Sequence, residues 1–565
     1  MYPAVSHLHT YFFFPFSVDK QALLRDHREL WSKYQYWIDG TDEWIAAHQR
    51  GADTQLIEAL GRWRRTAYTR FDVNSRAYQD MVFFHPFVRR VYFDSIGASS
   101  RGSTRESLLR CYTLPVAARA DDQSPDPRLW LEASDIKGRG ASVSVTDLRL
   151  FLFANGIGIL SIGVEATDLT AGDALWINET LRKIYPSSGR QVREGRVPNR
   201  LALVTQHEGQ RRTIVEETFE GGSMVGFVPP LSATITSLLY FADYSRQEYE
   251  PVLDERMIVY SYIALDPATA PEEYLTSEEH RVLLSRFLYV DRHGDEYRYD
   301  PVFVRGQMAN QMYRRWAHQG TYYGFTSYSA ITVTLGTFDC DEHRLEEGFL
   351  IHRMFESRYY LMSIIALFYR ATLLDFAERT ALVSKHLYLD QQDGQLGPQN
   401  IRLASDLRAD FLNFSNYWHF RELANKDEEV EHFAIQCREY GIAPMKAEIE
   451  EEIEKLNAAL HTYYQFRNTE AVNRLAMLSL LFGAGAVLTG FFGMNFGGFF
   501  QTAFFEPDGR TVGIHWLAIL MVVVFSVGAL FFGLFVVVSN WSDYRGIVAP
   551  KVRVREEESS LKRGD

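Results

Sequence analysis

Cysteine is scarce: Cys111, Cys340 and Cys437 are the only three in 565 residues. Three thiols so far apart give neither a disulfide framework nor a CxxC metal site, and they read as packed thiols in a reducing compartment. Basic residues are also short. Lys and Arg number 59 against 72 Asp and Glu, and the formal net charge of −13 argues against a nucleic-acid partner. Internal repeats and low-complexity segments are missing. So are a Walker A lysine loop, a nucleophile elbow and, among 16 histidines, an HExxH pair. "GIGILSIG", residues 156–163, lacks the GxGxxG spacing and falls in an expected hairpin rather than at a helix start. "CDEH", residues 340–343, sets a thiol near an imidazole, but without further ligands it reads as packing. These absences leave no signature of an enzyme.

Long apolar runs are absent over most of the chain. The opening "MYPAVSHLHTYFFFPFSVDK" has no Lys or Arg before Lys20, and Pro15 interrupts its apolar part. It does not read as a signal peptide, so this part is expected to stay where it is made. Tyr11–Val18 is expected to be a buried strand. "YYLMSIIALFY", residues 359–369, is closed by Arg358 and Arg370 and is too short to cross a bilayer, so a buried helix is expected. Only the end of the chain differs. Leu475–Phe505 carries no charge, and Thr511–Ser542 carries none unless His515 is protonated. Each run supplies the roughly 20 residues that a helix needs to cross about 30 Å of hydrocarbon. Trp516 and Trp541 bracket the second run as interfacial aromatics do.

The tail after Ser542 holds Arg545, Lys551, Arg553, Arg555, Lys562 and Arg563, whereas the connection 496–514 holds Arg510 alone, beside Glu506 and Asp508. Positive-inside counting then puts both termini in the cytoplasm and the acidic connection outside, most simply in a plasma (inner) membrane.

The expected fold class is an α+β cytoplasmic domain, then a long helical stalk and two C-terminal transmembrane helices. Residues 1–342 read as mixed α/β. Residues 19–50 are helical in pattern. Strands are expected at "SVTDLRLFLFA", "IGILSIGVE", "LALVTQ", "ATITSLLYF", "MIVYSYIAL" and "YSAITVTLGTF". Asn155-Gly156 predicts a type I′ hairpin turn. Residues 343–443 read as long helices, one over about 343–388, a break at "DQQDGQLGPQ", and another over about 400–440. "GIAP", Gly441–Pro444, ends one helix and starts the next, because proline is tolerated in a first helical turn. No breaker follows before the glycines near 483–493. One helix of about 50 residues, roughly 75 Å long, is expected as the stalk (444–474) and first span (475–494). An external loop (495–514), a second span (515–540) and a basic tail (541–565) complete the chain.

The first span ends in "GFFGMNFGG", residues 490–498, an asparagine in apolar surroundings framed by glycines. Phe492-Gly493-Met494-Asn495-Phe496, at the outer end of the penultimate span with the last span some 20 residues on, resembles the CorA family of divalent-cation channels. "NRLAMLSLLF", residues 473–482, also resembles the start of that family's first span. The close resemblance covers about residues 445–545; upstream it is architectural, with a larger cytoplasmic part than is usual. It implies a homopentamer in a lipid membrane, first spans around one pore, and Gly493, Met494 and Asn495 as the selectivity filter. The cargo would be a divalent cation, Mg²⁺ foremost, with no cofactor.

A ring of carboxamides suits Mg²⁺, which dehydrates reluctantly. The oxygens accept hydrogen bonds from bound water without holding the ion as carboxylates would, and conduction needs exit as well as entry. The competing reading makes Asn495 a helix C-cap at the interface.

Thr469, Val472, Ala476, Ser479, Gly483, Ala486 and Gly490 follow steps of 3 and 4, a mostly small heptad stripe. Such a stripe either faces a lumen or lets helices pack closely. Below it, Ile449, Ile453, Leu456, Leu460 and Tyr463 form an apolar seam. Its unbroken continuation would turn Arg467 and Arg474 inward, so a one-residue skip at Phe466 is expected. The family often has a proline and larger apolar residues midway along this span, where "FGAGAV", residues 482–487, stands here. A gate of bulky side chains is therefore not expected at that level.

The family binds regulatory Mg²⁺ at acidic residues between subunits; Glu448, Glu451, Glu452 and Glu454 are the candidates here, against a plain solvated face with Glu451–Lys455 pairing. "NFGG", residues 495–498, resembles the zinc-transporting ZntB branch, possible proton coupling included, although that branch often has valine where Met494 stands. A membrane-anchored sensor or enzyme working through the large domain is the rival of another class.

Overall fold

A computed structural model of the protein describes residues 3–34, 36–51, 59–66, 76–94, 108–116, 128–207, 210–222, 224, 228–253, 255–266, 269–292, 298–336, 351–392 and 396–493, with 520, 523–525, 527–528, 531–532 and 535. The chain divides into two compact units, Met1–Asn457 and Ala458–Asp565.

The first unit is built on one sheet. Its strands are β1 (Ala4–Val18), β2 (Arg64–Arg65), β3 (Leu109–Leu114), β4 (Arg128–Ser134), β5 (Gly140–Phe153), β6 (Ile157–Thr170), β7 (Arg200–His207), β8 (Gln210–Glu217), β9 (Tyr249–Pro251), β10 (Ile258–Asp266), β11 (Met312–Tyr313), β12 (Thr321–Phe325) and β13 (Ser329–Leu335). Their order is β11-β12-β13-β10-β1-β6-β5-β4-β7-β8, with β2 on β3, β3 also on β5, and β9 on β1. Neighbours are antiparallel except β10 and β13, which run parallel.

β1 lies at the centre and is longer than the expected Tyr11–Val18. Pro15, which has no N–H to give, falls where the β10 pairing has ended at Phe13 and the β9 pairing begins at Phe16. Alternation sends Leu8, Phe12, Phe14 and Phe16 into the main core. On that side Thr10 Oγ1 donates to Asn178 Oδ1 at 2.8 Å, from the helix Ala171–Leu181. The other side carries His7, His9, Tyr11 and Phe13. Tyr11 and Phe13 meet Tyr360 at 4.7 and 5.6 Å between ring centres. Tyr360 opens the helix Tyr360–Gln392. The sheet is thus sandwiched between helices, and both faces of β1 are dry.

That second helix contains the apolar run noted in the sequence. Taken as Ile351–Asp390 it is long and apolar enough to cross a membrane, with mean hydropathy 1.4, but 72% of its most apolar window is buried inside the protein. It is a core helix, as expected. A π-helical turn, Phe355–Tyr359, precedes it, and the helices Pro398–Asn413 and Asp427–Glu439 follow. Gly441 takes a left-handed φ of 67° and ends the last of these; the next helix begins at Ile442, with Pro444 in its first turn.

Two expectations fail. "ATITSLLYF" contains a helix, Ala233–Leu238, not a strand. Its β-branched residues favour extension, but the Glu217 carboxylate accepts hydrogen bonds from Ala233 N at 2.7 Å and Thr234 N at 3.3 Å, and from the Ser232 and Thr234 hydroxyls. Satisfying the free N–H groups of a first turn in this way overrides the propensity. The β5–β6 turn is not type I′ either. Only Gly156 has positive φ, at 99°, while Asn155 caps the turn by accepting from Ile157 N. The helical pattern over 19–50 resolves into three short helices, Lys20–Asp26, Arg28–Trp31 and Trp37–Gly51. Cys111 and Cys437 are free, each thiol pushed up to about 12 by burial, as packed thiols should be. Cys340, with the "CDEH" stretch, lies outside the described residues.

His432, 3% exposed, is caged by Tyr313, Tyr323, Phe325 and Tyr359, and burial lowers its pKa to about 3. Its neutral form is the folded form. The stability it lends is complete above the unfolded value near 6.5 and is lost as pH falls toward 3. At pH 5 the cost is about 2 kcal/mol, from 1.5 pH units at 1.36 kcal/mol each. His432→Phe is therefore expected to reduce, by about that amount, the destabilisation of the full-length protein between pH 7 and pH 5. Thermal unfolding in detergent at the two pH values measures it; an unchanged pH dependence would show that His432 is not held neutral.

Candidate functional site

The helix Ile442–Gly493 is 52 residues long, matching the single helix of about 50 residues expected here. No proline follows Pro444, and its glycines come only in the last turns. Residues 442–457 belong to the first unit. There Ile449 and Ile453 are 2% and 5% exposed. Lys446 lies 5.9 Å from the Phe411 ring, and Arg408 donates to Asn457 Oδ1 at 3.2 Å. Ile449 and Ile453 are thus buried within the chain itself, and the helix Pro398–Asn413 reaches this stretch through Arg408 and Phe411, so this part of the seam is not a free coiled-coil edge. Leu460 is buried as well, whereas Leu456 and Tyr463 are half-buried.

The four stalk glutamates, Glu448, Glu451, Glu452 and Glu454, are all exposed. Glu451 is paired with Lys455 at 2.7 Å, and that hydrogen bond lowers its pKa. Lys446 similarly faces Glu450 at 3.4 Å. Within one chain these four do not converge on a point.

The charge of Arg467 and Arg474 is partly offset in place. Glu470 lies 3.9 Å from Arg467 and bonds Arg474 directly, and Arg467 Nε donates to the Tyr463 hydroxyl at 3.0 Å. One carboxylate between two guanidiniums reduces the cationic field that these residues would otherwise project.

All seven residues of the small stripe, Thr469, Val472, Ala476, Ser479, Gly483, Ala486 and Gly490, are exposed. So are bulky residues off the stripe: Leu475 is 65% and Phe482 76% exposed. A Cβ added at Gly483 or Gly490 would meet nothing within 4 Å. The chain's own described packing does not require glycine there. Residues this apolar and this exposed mark contact with lipid or with other chains. The described residues of the second run, Leu520 through Phe535, are likewise helical and exposed, Phe525 at 74%. Of the triplet, Gly493 ends the described helix; Met494, Asn495, Glu506 and Asp508 lie outside the described residues.

The structure also assembles a group that the sequence reading left apart. His7 and His9 from β1, Glu165 from β6 and His352 from the helix Ile351–Met354 bring four ligand atoms within 4.8 Å of one another. "HLH" at alternate positions of a strand was the available signal, since i and i+2 share a face. Glu165 and His352 become visible only through the fold.

Residues 421–534 match the family model described as CorA-like Mg2+ transporter protein. No curated protein and no solved structure matches the chain.

Proposed function

We propose, on the premise that residues 421–534 form a CorA-like domain and so belong to a membrane protein, that this chain conducts divalent cations across a bilayer. The observation that carries the reading is the helix Ile442–Gly493, which lies wholly inside the matched segment and ends at Gly493, the first residue of the Gly493-Met494-Asn495 triplet in the sequence. Mg²⁺ is the preferred cargo and Zn²⁺ the alternative. Five copies line one pore with their small stripes, and their Asn495 carboxamides ring the outer mouth. Both termini are cytoplasmic.

The physical support is threefold. Gly483 and Gly490, which nothing among the described residues crowds, fit a surface that meets a lumen or a neighbouring helix. Exposed leucines and phenylalanines on other faces fit lipid. Glu470 offsets the charge of Arg467 and Arg474 where five copies would otherwise gather ten guanidiniums around a cation path. Its carboxylate leaves one net positive charge per chain at this level.

Asn495→Ala is expected to lower Mg²⁺ uptake into proteoliposomes at least about tenfold, which is ~1.4 kcal/mol in ion capture. The pentamer in native mass spectrometry should be unchanged, because one carboxamide contributes little to assembly. Uptake equal to wild type would leave Asn495 as a helix cap only.

Lumen and seam are separable by cysteine labelling. Ser479→Cys, Gly483→Cys and Ala486→Cys should react with a water-soluble thiol reagent and block flux, because the thiolate is the reactive species and forms only in water. Leu478→Cys, Leu481→Cys and Leu488→Cys should be nearly inert. Equal reactivity of the two sets would make the small stripe a packing seam and remove the reason for a skip at Phe466.

A further inference from the structure

The proposed ion path runs along exposed helix, yet the group of metal-ligating side chains that converges among the described residues is in the core of the first unit. His7, His9 and His352 are 4%, 1% and 7% exposed. Glu165 is the cross-strand partner of His9, so its carboxylate emerges on the same face. His9 Nδ1 lies 2.9 Å from His352 Nε2 and 3.3 Å from Glu165 Oε1, and His7 Nε2 lies 3.6 Å from the same oxygen. Four ligands around a Zn²⁺ ion at about 2.0–2.1 Å stand roughly 3.3–3.4 Å apart along a tetrahedral edge. The three separations bracket that value.

The surroundings are those of ligands held by outer partners. His352 turns Nε2 toward His9, and its Nδ1 faces Glu356 at 3.8 Å. His9 turns Nδ1 inward, and its Nε2 is 3.3 Å from Thr146 Oγ1. Glu356 Oε1 is also 3.6 Å from His9 Nδ1. Tyr262 closes one side, its ring centre 4.9 Å from that of His352.

We propose that His7, His9, His352 and Glu165 form a closed four-ligand site for a borderline transition-metal ion of the Zn²⁺ class, with Glu356 and Thr146 as outer partners. Three imidazoles and one carboxylate suit such an ion; Mg²⁺ takes oxygen ligands and octahedral geometry and is the wrong guest. Two carboxylates beside a divalent ion also balance its charge. Four protein ligands leave no open position, which makes the site structural or sensory rather than catalytic. Binding ties two sheet strands to the turn that leads into the core helix Tyr360–Gln392. The site is independent of the conducted ion, and its metal need not be the cargo.

The test uses full-length protein in detergent, stripped with chelator and returned to buffer with excess Mg²⁺ to occupy hard oxygen sites. Titration with Zn²⁺ alone should reach one ion per chain, and Co²⁺ in its place should show the intense visible absorption of a tetrahedral complex. His7→Asn and His352→Asn should each abolish both signals. Glu356→Gln, which leaves all four ligands, should weaken Zn²⁺ by about 10–100-fold and decides the matter if the histidine variants fail to fold. Asn495→Ala should bind one Zn²⁺ like wild type, so failure of the channel reading and of this site are distinguishable. Wild type without stoichiometric Zn²⁺, or variants that bind it undiminished, would overturn the site and leave a hydrogen-bonded histidine cluster.

Discussion

The first unit depends on a strand that has no wet side. β1 pairs with β6 along nearly its whole length and with β10 from Ala4 to Phe13, and its side chains enter two different dry layers. Each buried phenylalanine contributes about 1.5–3 kcal/mol, and fixing a residue's backbone costs about 1–2 kcal/mol, so a strand buried on both faces gains where one buried on a single face would only break even. Two-sided burial forces every polar group on β1 to find a partner. Thr10 finds Asn178 and Ser261 on the helix-covered core face. His7 and His9, on the other face, meet Glu165 and His352. The metal-ligating cluster is thus the polar remainder of a strand otherwise given over to phenylalanine, tyrosine and leucine.

The second unit follows the opposite rule. Its described residues leave large apolar side chains in the open, and a Cβ added at Gly483 or Gly490 would meet no described atom within 4 Å. In water such a surface would aggregate. In a bilayer, backbone polar groups are satisfied within the helix and the apolar exterior is matched by hydrocarbon. The requirement then passes to the helix faces that do not meet lipid. There small residues can act without distorting the helix. The charge logic is consistent with this: Arg467 and Arg474 are held by Glu470 at helical spacing, within one chain.

How much of this could be read from the sequence depended on how local the cause was. The long stalk helix was legible because Gly441 and Pro444 mark its start and no proline follows. β5, β6, β7, β10 and β13 were legible from apolar alternation or continuous apolar runs, although β1 extends seven residues before Tyr11. β8, "QRRTIVEE", escaped because its edge position needs little apolar content. The helix Ala233–Leu238 escaped because its cap is Glu217, some sixteen residues upstream. The histidine cluster escaped for the same reason: its ligands lie on three elements and His352 is 343 residues from His9. The small stripe was legible as a pattern, and the burial of Ile449 and Ile453 within the chain was not.

The central claim is that this chain carries a divalent cation across a membrane. Purified protein in liposomes loaded with an ion-sensitive dye, exposed in turn to Mg²⁺, Zn²⁺, Co²⁺ and Ni²⁺, tests it most directly. The account predicts uptake well above empty liposomes for at least one of these ions, Mg²⁺ foremost. Impermeability to all four, in vesicles shown to contain the assembled protein, would contradict it.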